Sequence, residues 1–572
     1  LFIKGVSECT KEGTPMQFRW NHTQGAPDYD RETGFGFVTG AVYNADAALH
    51  IPETNSGFLP LWWYAGTPIS DIRQSEYGLQ ATAAEALRTE DAADRRLPVW
   101  LRIQVPGEGV YRAEITVTGT DGGEVLVFTG RRRLAWRGVL PAGAQQIVTA
   151  YCDVFPIVPR GQADAVASDA VNIAVVGGAL SAVALAEAPD TRRIWVCGDS
   201  TVTDQTGELP YAPGTSYAGW GQMLPAYLPE VCITNHAHSG LTTESFLSEG
   251  HWAIVKPRLR AGDICLFQFG HNDQKLAHLQ ARGGYTDRLR TYIKKTRTAG
   301  AVPVLITPLA RNSWRDPTHY NDFLADFADA VLDLGKKEAV PVLDLHAYAM
   351  QLIRQEGLET AKRWFYPGDY THTNDFGAYR MAGFVAGALG KAVGLPVADV
   401  PAWTPAPPFA PLTPPKDCAL PAPDTDPFAD YDATRPQEVL TRAEALELAI
   451  KALKLFPINV YNDLYADIVG HETYAGTVQC AAQNDLIPAA WIADGRLYPQ
   501  RTVTAADFLA VLMPGAAGRR PLAAPSPLPD SVPAYARFAA GQAVAEQLIS
   551  ADSLNDPITR SDAAALCRRL HI

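Results

Sequence analysis

Along the first 190 residues, apolar positions gather in short β-rich runs: GFGFV at 34–38, VWLRIQV at 99–105, YRAEITVTG at 111–119, EVLVFTG at 124–130, QQIVTAYCDVF at 145–155 and VNIAVVGGALSAVALAEA at 171–188. Gly, Pro and Asp separate them. Short β-rich runs bounded by turn residues are the pattern of strands, and their spacing predicts an all-β sandwich or jelly roll. Trp62, Trp63 and Tyr64 fall within this region. They could offer a flat platform to a sugar ring, while the plainer expectation is that they pack the sandwich or its contact with the next domain.

From residue 192 the pattern changes. Apolar runs at 194–198 (IWVCG), 231–237 (VCITNHA), 263–270 (DICLFQFG), 302–308 (VPVLITP) and 341–346 (PVLDLH) alternate with stretches such as 285–300 and 320–337, whose apolar residues recur every three or four positions. Strands covered on both faces read as unbroken apolar runs, so this repeat predicts a five-stranded parallel sheet between helices. Residues 396–430 are too rich in proline for a core and predict a stiff linker. Beyond them, LTRAEALELAIKAL at 440–453, VTAADFLAVLM at 503–513 and ITRSDAAALCRRL at 558–570 repeat one helical pattern opened by a Thr. The expected organisation is a β-sandwich over 1–190, an α/β domain over 191–395, a Pro-rich linker over 396–430 and helical repeats over 431–572.

Composition narrows the function classes. With 572 residues, 47% hydrophobic and 19% charged, the chain is a multi-domain globular protein. No apolar stretch approaches a membrane span. A formal net charge of -13 argues against a nucleic-acid partner. The Arg131-Arg132-Arg133 run is expected to be a solvated strand or turn. The eight cysteines lie far apart without metal-ligand spacing. Cys197, Cys232 and Cys265, in or beside the predicted parallel strands, read as small buried hydrophobes. The chain starts at Leu1, which suggests a trimmed or mature form.

The candidate chemistry begins where the first parallel strand ends. Gly198-Asp199-Ser200 carries a hydroxyl to the carboxyl edge of the sheet, the edge at which open α/β sheets bind ligands. Three blocks follow in order: HSGLTTESF at 238–246, FGHND at 269–273 and DYTHTNDFGA at 369–378. A serine nucleophile needs a base to take its proton, a group to orient that base, and donors for the developing oxyanion. His372 can be that base, and Asp369, three residues earlier, can reach its Nδ1. His236, His238 and His271 would make a poor metal site, since no acidic partner stands at ligand spacing.

Together the four blocks resemble the GDSL or SGNH hydrolases, and among them the rhamnogalacturonan acetylesterase group, over about residues 190–395. The resemblance implies a flavodoxin-like three-layer domain in which Ser200 is the nucleophile, with His372 and Asp369 completing the triad. It assigns the oxyanion donors to the backbone N–H of Ser200, the backbone N–H of Gly240 and the side-chain amide of Asn272. It implies no cofactor. The order of a β-sandwich before the GDST block is similar to bacterial acetylesterases that carry a carbohydrate-binding module. One departure stands out: where the acetylesterase group often has Gly-Arg-Ser, this chain has Gly240-Leu241-Thr242. The C-terminal segments resemble surface-layer homology repeats, which implies wall-polysaccharide binding through Arg442 and Arg560; the middle copy has Ala505 instead.

The expected function is therefore a secreted or wall-associated serine O-acetylesterase acting on acetylated plant polysaccharide, foremost rhamnogalacturonan. Acetylxylan or acetylmannan esterase, a general lipase or arylesterase, and a non-enzymatic wall-binding scaffold are the rivals, and a cytoplasmic location is the alternative.

Overall fold

In the computed structural model, the structure describes residues 16–30, 32–38, 70–83, 97–158, 164–205, 207, 211–316, 319–405, 426–455, 464–468, 472–518 and 520–570. Trp62, Trp63 and Tyr64 lie outside the described residues. The chain divides into two units, residues 1–270 with 287–418, and residues 271–286 with 419–572.

Among the described residues, the first unit begins with eleven strands: β1 Gln17–Asn21, β2 Phe35–Phe37, β3 Ser70–Ser75, β4 Gly78–Ala83, β5 Val99–Gln104, β6 Gly109–Thr118, β7 Glu124–Thr129, β8 Arg133–Val139, β9 Gln145–Val154, β10 Ala170–Val176 and β11 Ala179–Glu187. They form two antiparallel sheets, one in the order β3-β4-β11-β6-β9 with β1 added beside β11, the other β2-β5-β10-β7-β8. Val117 and Ile115 of one sheet share a buried core with Val127 and Ile173 of the other, as a sandwich requires. The long apolar run at 171–188 is two strands. Gly177 turns the chain at φ 80°, and a Cβ on Gly178 would meet the Val125 side chain at 2.8 Å. Strands β1, β3, β4 and β8 are additions that no strong apolar run announces.

Five parallel strands follow: β12 Arg193–Gly198, β13 Cys232–Asn235, β14 Ile264–Gln268, β15 Val302–Ile306 and, after a short hairpin of β16 Trp314–Asp316 with β17 His319–Tyr320, β18 Val342–Leu343. Their order is β13-β12-β14-β15-β18, every pair parallel. This is the 2-1-3-4-5 order of a flavodoxin-like sheet, whose switch point lies beside its first strand. Here that strand is β12, which ends at the Gly198-Asp199-Ser200 turn.

Beside the sandwich's own core, a second buried cluster bridges the expected boundary near residue 190. Trp100, Phe128 and Leu134 of the sandwich share one buried cluster with Ile194, Trp220 and Leu266 of the α/β part. The Arg131–Arg133 turn, expected in solvent, is instead buried at this join: Arg132 is 0% and Arg133 5% exposed. Its guanidinium groups are held by carboxylates of the α/β part, Arg132 Nη1 to Asp375 Oδ1 at 2.7 Å and Arg133 Nε to Asp204 Oδ2 at 2.8 Å. The run looks like a surface feature in sequence because the acids that meet Arg132 and Arg133 lie far along the chain, 243 residues away for Arg132 and 20 and 71 for Arg133. The proline-rich stretch also begins inside the unit: Trp403 is 5% exposed, and Arg137 donates to the carbonyls of Pro401 and Ala402.

The second unit holds three helices that begin alike, Arg442–Ala452, Ala505–Ala517 and Arg560–Leu570. Thr441 and Thr504 cap the first two, each in a reciprocal box with the acid three residues on, Glu444 or Asp507. Thr559 Oγ1 likewise accepts from the Asp562 N–H and donates to the Asp562 carboxylate. The residues just before these caps are laced in a ring: Leu440 N–H donates to Ile558, Ile558 to Val503 and Val503 to Leu440, at 2.9, 3.3 and 3.0 Å. Segment 271–286 joins this unit through Asn484, whose Oδ1 accepts from the Ala277 N–H at 2.7 Å and whose Nδ2 donates to the Lys275 carbonyl.

At the amino end of the parallel sheet, Asp263 binds Arg193 at 2.7 Å and accepts from Trp195 Nε1 at 3.0 Å, all three buried. Removing one partner of a buried pair strands the other charge without solvent. Asp263→Ala should lower stability by about 3–5 kcal/mol, read as a reduced urea midpoint, and Arg193→Met with Asp263→Leu should recover most of that loss.

Candidate active site

The nucleophile turn is built by two constraints on backbone. A Cβ on Gly198 would meet the Gln268 carbonyl and Val202 at 2.7 Å, so only glycine lets β12 end beside β14. Asp199, fully buried, accepts from Thr201 N at 3.0 Å and Thr201 Oγ1 at 2.8 Å, which closes the turn that presents Ser200. Gln205 Nε2 braces the Ser200 carbonyl at 2.9 Å.

His372 and Asp369 arrive on a loop that ends at Asn374, whose side chain accepts from Gly377 N and caps the helix Asp375–Val393. His372 Nε2 lies 2.8 Å from Ser200 Oγ, and His372 Nδ1 lies 2.8 Å from Asp369 Oδ2. The other Asp369 oxygen accepts from the N–H groups of Thr371 at 2.7 Å and His372 at 3.0 Å. Tyr366 N donates to the His372 carbonyl at 2.9 Å, and the Tyr217 ring meets the imidazole edge-on at 5.7 Å. The three expected triad residues therefore converge.

Their electrostatics suit proton transfer. Partial burial would raise the Asp369 carboxyl, but the His372 hydrogen bond and charge, together with the two backbone donors, hold it down at about 2. Its stabilising contribution is fully present above the ordinary carboxylate value of 3.8 and is lost as pH falls through about 2. Arg311, which the sequence did not single out, is 6% exposed near this carboxylate; burial lowers its guanidinium to about 10 against the pull of Asp199 and Asp369.

Gly240 lies on the turn after β13, where His238 N donates to the Gly198 carbonyl at 3.1 Å. Its need for glycine is conformational: φ is 88°, and no atom lies within 4 Å of an added Cβ. Asn272 belongs to the second unit, where its Oδ1 accepts from Lys275 Nζ at 2.6 Å. An oxygen held by an ammonium orients the amide, leaving the NH2 on the opposite side.

Arg442 and Arg560 also sit in the second unit, 5% and 7% exposed. Arg442 donates to the carbonyls of Trp491 at 2.7 Å and Leu497 at 2.6 Å, and Arg560 pairs with Glu444 and lies over the Tyr431 ring. Burial lowers His236, stacked on Trp195, to about 4. Among the described residues, no group of three or more His, Cys, Asp or Glu could hold a metal ion, and no helix is long and apolar enough to cross a membrane.

A cavity of about 900 Å³ opens beside the triad loop, with Arg137, Lys362, Tyr366, Asp369, Tyr370 and Trp403 in its walls. Its volume falls in the range of small-molecule sites.

A sequence model of the GDSL-like Lipase/Acylhydrolase family matches residues 196–380. The rhamnogalacturonan acetylesterase RhgT of Bacillus subtilis is 33% identical over 222 residues, 36% of this chain and 93% of that protein. A rhamnogalacturonan acetylesterase of Emericella nidulans is 27% identical over 241 residues, 38% of this chain and 90% of that protein. The likeness to the uncharacterized esterase YxiM of Bacillus subtilis runs further, 25% identical over 368 residues, 62% of this chain and 82% of that protein.

Ser200→Ala should abolish ester hydrolysis while leaving the circular dichroism spectrum and melting curve unchanged. Asp369→Asn should lower kcat by on the order of ten-thousandfold, since the imidazole then loses its preferred tautomer. Protonation of Asp369 should cost the wild-type enzyme no rate until pH falls toward about 2, read from the rate on a neutral ester substrate as pH is lowered.

Proposed function

We propose, from the premise that the chain belongs to the GDSL-like lipase/acylhydrolase family and is a carboxylic ester hydrolase, that it removes acetyl groups from rhamnogalacturonan through an acetyl-serine intermediate. The observation that carries the reading is the relay from Ser200 Oγ to His372 to Asp369, each step 2.8 Å. Ser200 attacks the acetyl carbonyl as His372 takes its proton. The same imidazole returns that proton to the departing sugar hydroxyl. Water, activated by His372, then releases acetate and restores the serine. In this reading the backbone N–H groups of Ser200 and Gly240 and the amide of Asn272 stabilise the oxyanion. The substrate is assigned from the relatives' names.

A neutral acetylated glycan, xylan or mannan, is the second reading. It is favoured by Leu241, an apolar residue after Gly240 where the resembled acetylesterase group often has an arginine, if that group uses the arginine to hold an acidic sugar. The C-terminal helices are proposed to hold cell-wall polysaccharide, which would place the enzyme outside the cell or on its wall. Arg442 and Arg560 would act there from within the fold, shaping the repeat junctions.

Acetate release should be fastest from acetylated rhamnogalacturonan in a panel with acetylated xylan, acetylated mannan and 4-nitrophenyl acetate; a preference for xylan or mannan would move the assignment to the second reading. Asn272→Ala should lower turnover by about a hundredfold to a thousandfold on every ester in the panel. An unchanged rate would remove Asn272 from the oxyanion site.

A further inference from the structure

We propose that Arg132, contributed by the sandwich, is a positioning residue for the triad, so that the sandwich is part of the catalytic apparatus rather than a separable binding module. The inference rests on the assignment of Ser200, His372 and Asp369 above. It goes beyond that assignment by naming what sets the distance between base and nucleophile.

One guanidinium meets the supports of both partners. On the nucleophile side, Arg132 Nε donates to the Gln205 carbonyl at 3.3 Å, and the Gln205 side chain in turn donates to the Ser200 carbonyl at 2.9 Å. On the base side, Arg132 Nη2 donates to the Tyr217 carbonyl, and the Tyr217 ring bears on the His372 edge and stacks on Tyr366 at 3.6 Å. Nη1 binds Asp375, three residues after His372, whose two oxygens also accept from Tyr211 Oη at 2.8 Å and Gly214 N at 2.9 Å. Ala218 and Thr373 then join the two segments, with the Ala218 N–H donating to the Thr373 carbonyl at 3.0 Å and Thr373 Oγ1 to the Ala218 carbonyl at 2.6 Å.

The chemistry of this plug differs from that of a simple join. Arg132 and Asp375 are both 0% exposed, and a buried ion pair is often no more stable than apolar residues of the same volume. What it supplies is direction. Arg132 itself sits at φ 53°, a left-handed conformation costly for a residue with a Cβ, which places the guanidinium at the focus of these acceptors. The neighbouring Arg133 makes the join by another route, through Asp153, Asp204 and the Ile233 carbonyl.

The test uses the full-length protein and 4-nitrophenyl acetate. Arg132→Met should lower kcat by about a hundredfold, the scale of a misplacement near 1 Å, with KM within twofold. Inactivation by a serine-directed fluorophosphonate should slow by the same factor. In a His372→Ala background the Arg132→Met change should cost far less, because no base-to-nucleophile distance is left for Arg132 to set. Arg132→Lys should recover only part of the loss, since a compact ammonium lacks the flat fork that reaches Gln205, Tyr217 and Asp375 at once. If Arg132→Met does not fold, Asp375→Asn carries the same expectations. Undiminished kcat in a folded variant, or equal losses with and without His372, would overturn the inference. Activity in Ser200→Ala would instead overturn the triad assignment, so the two failures are distinct.

Discussion

A hydroxyl and an imidazole separated by 172 residues of chain must stay within one hydrogen-bond length, and the first unit is organised by that requirement. The hydroxyl is fixed by the sheet. Ser200 leaves β12 at the switch point of the parallel order, on a turn that buried Asp199 ties to Thr201 and that Gly198 permits. The imidazole is fixed by a loop, which has no sheet to register it. Backbone bonds from Tyr366 and from the triad carboxylate do that work instead, and the Asn374 cap anchors the loop to the following helix. A proton relay tolerates little error in distance, so the less regular element carries the denser hydrogen bonding.

Much of this was legible in the chain. Unbroken apolar runs gave the five parallel strands to within a few residues, because strands buried on both faces need no polar alternation. Asp369 and His372 stand three residues apart, a spacing that one turn of loop satisfies, but a helix cap beside a surface histidine has the same spacing, and only the order of the other three blocks made their pairing readable. The additions were the strands without a strong apolar run. Strand β8 is an example: its first residue is Arg133, whose burial depends on Asp153 and Asp204.

The misread arginine run shows the limit in physical terms. Charge seeks water unless an opposite charge meets it in the interior, and local sequence contains no sign of a partner 243 residues distant. Trp403 is a second case, since a proline-rich context suggested solvent while its ring packs on Phe376 and Tyr379. Gly240 needs glycine for its backbone conformation, φ 88°, which the residues around it in the sequence do not announce. Tyr217 carried no signal, because an aromatic ring that shapes a histidine's environment looks in sequence like any other core aromatic.

The ring formed by Leu440, Val503 and Ile558 bears on how the second unit comes apart. Each of these N–H groups is taken by the segment before another of the three helices, and the last returns to the first. A closed cycle has no outermost member to fray first. Loosening any one of the three segments leaves an unmet donor on the second and an unmet acceptor on the third, which ties their unfolding together.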